Sequence, residues 1–142
     1  EVIDINDVRD VVSMLSRIVD LKFVVCDPAA GHAGRIQGWE TEYGWTVSRA
    51  PQNVVYMGAA WAIWQDHVRA RRLRFYPDPV LRSAIESSRT FTGKHGLTSI
   101  VKAENCSNND PLIACLISIK AMNDREMLRA SMYSDDPRNI RF

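Results

Sequence analysis

The chain has 142 residues, of which 46% are hydrophobic and 25% charged. That is the length of one ordinary domain and the usage of a folded one, so disorder is excluded. Its 18 basic and 17 acidic residues leave a net charge of +1, so any nucleic-acid binding has to come from a local cluster.

Taken in chain order, Val8, Val11, Val12, Leu15, Ile18 and Val19 fall at helical spacing, and Asn6 or Asp7 is placed to cap the start. "LKFVVC" reads as a short strand buried on both faces, ending at Asp27 and a turn of small residues. Ile36, Trp39 and Tyr43 predict a second helix that stops at Gly44, and "WTVS" a second strand. Helix, strand, helix, strand is the order of an α/β sheet with parallel neighbours. A third helix is expected from Val54 to Ala70, with Trp61, Trp64 and Val68 turned inward. "RLRFY" reads as an edge strand closed by "PDP", and Pro79 opens a short helix through Glu86. "RTFT" and "LTSIVK" flank "GKHG" as a hairpin. A buried helix runs from Pro111 to about Met122, and residues 123 to 142 read as a loosely ordered polar tail.

No apolar stretch approaches the ~20 residues of a membrane span, and no secretory leader is expected. Cys26, Cys106 and Cys115 form no CxxC pair and read as reduced intracellular thiols. Asp27, ending the best strand, is either a turn aspartate before proline or a ligand at the carboxyl end of an α/β sheet. Asp110, beside Asn108 and Asn109, is either a helix cap or the second of two acids sharing a divalent cation. His32 is a surface residue, a ligand or a proton carrier, and Lys102 a solvated strand end or a contact to phosphate or to a catalytic carboxylate. Arg69, Arg71, Arg72 and Arg74 form the one basic cluster, either a solvated face or a track for a phosphate backbone. Lys94 in "GKHG" is a further candidate DNA contact, although that turn lacks the length of a P-loop.

The order of these segments resembles the C-terminal nuclease part of the large terminase subunit of tailed bacteriophages, in the HK97-like group. The pieces are "VVCDP", "GWTV", "VVYMGAAWAIW", "RLRFYPDPVLRSAI", "IVK" and "NNDPLIACLISIKAM". The resemblance covers roughly residues 2 to 122, and it makes residues 1 to 122 the domain. It implies a ribonuclease H-like mixed sheet flanked by helices, and a metal-dependent endonuclease that cuts concatemeric double-stranded DNA during genome packaging. Asp27 then matches the family's second catalytic acid, Asp110 its third, Lys102 a lysine ahead of the closing motif, and Asn109 a position where some members place a further acid. Mg²⁺ or Mn²⁺ would be held by Asp27, Asp110 and Asn109, in a pair roughly 3.5–4 Å apart. The implied partners are double-stranded DNA, an upstream ATPase region, the portal protein and the small terminase subunit, in the host cell cytoplasm, with no membrane. The opening strand that carries the family's first acid is missing, so the expectation is the latter part of a nuclease domain. An alternative is a non-catalytic ribonuclease H-like module that docks DNA or the portal with an incomplete site. A third reading, an unrelated α/β hydrolase or nucleotide-binding domain using Asp27 and His32, ranks last.

Overall fold

Five helices and four short strands make up the computed structural model, which describes residues 4–21, 23–27, 33–93, 96, 98–103 and 108–134. The chain divides into two compact units, Glu1–Pro51 and Gln52–Phe142. It is α/β, as expected, but its described strands form two separate two-stranded sheets rather than one mixed sheet.

In the first unit, α1 (Ile5–Ile18) is capped by Asp4, whose carboxylate accepts from the Asn6 N–H at 2.8 Å. The cap therefore lies upstream of the expected Asn6 or Asp7. A short carboxylate at Asp4 satisfies an orphan donor, and Asp7 instead supplies first-turn negative charge that suits the helix dipole. β1 (Val24–Cys26) is shorter than "LKFVVC" and half-buried, not covered on both faces. It pairs in parallel with β2 (Val47–Arg49), Val24 opposite Val47 and Cys26 opposite Arg49. Between them runs α2 (Ala33–Tyr43), which stops where expected: Gly44 takes φ 68° and its N–H donates to the Glu40 carbonyl. Glu40 also accepts the Val47 N–H through its side chain at 2.9 Å, tying α2 to the start of β2. Trp39 is buried against the edge of Trp45, and Tyr43 stacks on Trp45 at 4.6 Å.

The second unit opens with α3 (Val54–Arg69), capped by Asn53. Its inward residues are Met57 and Ala60; Trp61 and Trp64 are half-buried and stacked at 5.1 Å, while Val68, expected inside, is exposed. The segment "RLRFY" forms no strand. A strand needs a ladder partner, and β3 (Ser88–Thr92) and β4 (Thr98–Lys102) pair antiparallel with each other as the expected hairpin. α4 (Pro79–Glu86) has the expected bounds, and Asp78 caps it by accepting from the Val80 and Leu81 N–H groups. α5 (Asp110–Ser134) continues twelve residues beyond the expected end at Met122, so the stretch read as the start of a tail is helical as far as Ser134. Its Lys120 bonds Asp124 at 2.7 Å one turn along and lies over the ring of Tyr56 on α3.

α3 packs against both α5 and β4, and α4 against α5. The core consists of Met57, Ala60, Ala84, Ile100, Ala103, Leu112, Leu116, Ile117 and Ile119. α3 approaches β4 so closely at Gly58 that a Cβ there would lie 2.8 Å from the Thr98 carbonyl oxygen. No described helix is long and apolar enough to cross a membrane.

Candidate functional site

The parallel pair of the first unit directs the carboxyl ends of both strands the same way, which is where ligand sites of α/β sheets collect. Asp27 follows β1 at that end and is half-buried. The Cys26 carbonyl accepts the Ala50 N–H at 2.9 Å, fixing the two strand ends side by side. Arg49, opposite Cys26, donates to Gln37 on α2 at 2.7 Å. The guanidinium is therefore oriented at the same strand end, and it opposes the burial that pushes the Cys26 thiol up. Arg49 and Gln37 are residues that the sequence reading did not single out. Their signal was weak: a strand's last residue and a helical glutamine become neighbours only through the register.

The remaining described candidates stand in the second unit. Asn109 occupies the cap position of α5, its backbone carbonyl accepting from the Leu112 and Ile113 N–H groups at 3.0 and 3.1 Å. Asp110 is the first helical residue and is exposed, its own N–H donating to the Asn108 side chain at 2.9 Å. Asn108 thus does the side-chain work that a capping Asp110 was expected to do. Lys102 ends β4, is exposed, and pairs in register with Ser88; no ion pair joins it to Asp110. His32 and Lys94 lie outside the described residues, as does the turn Pro28 to His32 that follows Asp27.

The donor set is thin for the metal that the resemblance implies. Asp27 and Asp110 supply two carboxylates and Asn109 one amide oxygen, from separate units. Among the described residues no group of three or more His, Cys, Asp or Glu side chains is placed to hold a metal ion. A two-metal centre requires more anionic oxygen than this, so the described residues do not fit it.

The arginine cluster is the best-defined chemical feature. α3 ends at Arg69, and Arg71 takes the left-handed conformation at φ 55°, with the Arg71 and Arg72 N–H groups returning to the Val68 and His67 carbonyls. Glycine ordinarily occupies such a helix-ending position, because a Cβ there is strained. Arg69 makes only an exposed contact to Asp66 at 3.5 Å, worth little in water. Arg71, Arg72 and Arg74 are exposed and have no acid partner within 4 Å among the described residues. No family model, no curated protein and no solved structure matches this chain.

Directly after the cluster, Phe75 and Tyr76 lead into an open groove of about 470 Å³ against α4. Tyr76 is 94% exposed. The sequence carries a signal for this groove, two aromatics directly after the arginines, although its alternation there predicts a strand.

Proposed function

We propose that the chain is a DNA-docking module, with the arginine row from Arg69 to Arg74 as its contact to the phosphate backbone. The observation that carries this reading is that row: four arginines in six residues, three of them exposed and without an acid partner among the described residues. With a net charge of only +1, the protein concentrates its positive field here. The segment order and the parallel β1–β2 pair support a ribonuclease H-like scaffold of the kind found in phage terminases. Under that reading the partners are double-stranded DNA, an upstream ATPase region, the portal protein and the small terminase subunit, in the host cytoplasm. Titration of a labelled blunt duplex at several salt concentrations tests the proposal. Replacing Arg72 and Arg74 by Gln should weaken binding and flatten the salt slope by about one to two, since each phosphate neutralised contributes roughly 0.9. Unchanged affinity and slope in that double variant would sink it.

A second reading, a Mg²⁺- or Mn²⁺-dependent endonuclease, is favoured by the position of Asp27 at the carboxyl end of a parallel strand pair. Asp27 would be a ligand at that strand end, and acids beyond the described residues would have to complete the set. Nicking of supercoiled plasmid with Mn²⁺, abolished by chelator and by Asp27→Ala, is the result this reading requires. Equal nicking by the wild type and Asp27→Ala would remove Asp27 from the chemistry, and no nicking by either leaves docking as the function.

A further inference from the structure

The geometry points to a site for an unpaired nucleobase in the groove between Phe75–Pro77 and α4, which makes the DNA that this surface recognises a duplex with a single-stranded end or gap. The inference rests on the docking reading above and deepens it.

Three observations converge. First, the groove is the right kind of container. Its walls are Phe75, Tyr76, Pro77, Leu81 and Ile85, almost all apolar surface, and its volume of about 470 Å³ lies within the usual range for small-ligand pockets of roughly 300–1,000 Å³. Second, large apolar side chains stand partly open there, and Tyr76 almost wholly so. Phe75 is 45% and Tyr76 94% exposed, and an aromatic ring in water beside cationic residues suits base stacking. Third, the groove's first wall residue, Phe75, follows Arg74 directly in the chain, so a strand whose phosphates meet Arg72 and Arg74 would bring its next base to Tyr76. The left-handed Arg71 lies within that row, just past the end of α3.

The acids around the groove do not oppose this. Asp78 is turned to the α4 N-terminus, where its carboxylate accepts two backbone N–H groups at 2.7 and 3.1 Å. Glu86 is paired with Arg82 at 3.0 Å, and Arg82 itself lines the groove. The charge left unbalanced is that of the arginines, which selects a polyanion. An apolar peptide or lipid would use the groove but not the row beside it. A duplex without unpaired bases would use the row but not the groove.

The experiment is an anisotropy titration of the full chain with two labelled probes: a blunt duplex, and the same duplex carrying a short unpaired overhang. The overhang probe should bind more tightly, by about five- to 150-fold, the range that one stacked base supplies. Tyr76→Ala should erase that preference while leaving blunt-duplex affinity unchanged, and Tyr76→Phe should restore it, because stacking needs the ring and not the hydroxyl. Tyr76 contributes nothing to the core, so these variants keep the fold, which circular dichroism checks. Equal affinity for the two probes overturns the base site but leaves the docking reading standing. A preference that survives in Tyr76→Ala also overturns it. Binding of neither probe overturns both.

Discussion

The two units use the same kinds of element and bury very different amounts of them. Within Glu1–Pro51 the described buried hydrophobic residues are Trp39 and Ala50; within Gln52–Phe142 they include Met57, Ala60, Leu112, Leu116, Ile117 and Ile119. α1 is the more sharply two-sided helix, yet it buries no residue, and its Val11, Met14 and Ile18 are exposed. α5 is less two-sided and supplies much of the core, because α3 and α4 both pack against it. The contrast teaches that apolar periodicity states what a helix is able to bury, whereas burial itself is decided by how many elements meet there.

The largest expected effect tests that contrast directly. Leu116→Ala removes a side chain with no exposed surface and should cost about 2–5 kcal/mol in urea unfolding of the full chain. Leu15→Ala on α1, where the side chain is 42% exposed, should change stability by no more than about 0.5 kcal/mol. Comparable losses at the two positions would break the comparison.

A reversal of sign sharpens it. Ala normally stabilises a helix interior relative to Gly by roughly 0.5–1 kcal/mol. Gly38→Ala on α2, where an added Cβ meets nothing within 4 Å, should show that gain. Gly58→Ala on α3 should instead destabilise by about 1–3 kcal/mol, since its Cβ would press on backbone at Thr98. The difference between the two unfolding midpoints is the measurement.

The smallest effect concerns the thiols. Burial pushes up both Cys26 and Cys115, and Asp78 adds to the rise at Cys115 while Arg49 opposes it at Cys26. Each folded thiol therefore titrates above its unfolded value of 9.0. The associated stability is complete below that value and is lost as pH rises through the folded one. The urea midpoint should be flat through neutral pH and fall above roughly pH 9, with Cys115→Ser removing more of the slope than Cys26→Ser. A slope unaltered in both variants would assign the alkaline loss to other groups, Tyr56 among them, whose hydroxyl burial also raises.

Much of this architecture was legible in local chemistry. Gly44 ended α2 because it takes a positive φ without strain, and Pro79 opened α4 because its ring fixes φ, both regardless of what lies across the fold. The hairpin and the parallel pair followed from strand spacing and turn residues. The failures had a common cause: they depended on partners. "RLRFY" alternates like a strand but pairs with no strand among the described residues, and Val68 has the helical phase of a core residue yet stands exposed. The site was legible in part. The arginine row was visible as composition, while the Arg49–Gln37 contact arises only from the register of β2 against β1 and the return of α2. The helix-ending geometry at Arg71 was hidden because the sequence offers no glycine to announce it.

Gly58 carries a consequence for how this protein can change over generations. Where a helix rests on a strand's carbonyl oxygen, substitution is barred by geometry and not by chemistry, so drift at that codon is closed while Gly34 and Gly38, facing open space, stay free to wander. A distant cousin that has replaced most of its surface but keeps this helix-on-hairpin contact should still show glycine there, three and six residues before the stacked tryptophans. That spacing is a fingerprint by which descent could be traced after overall similarity has faded.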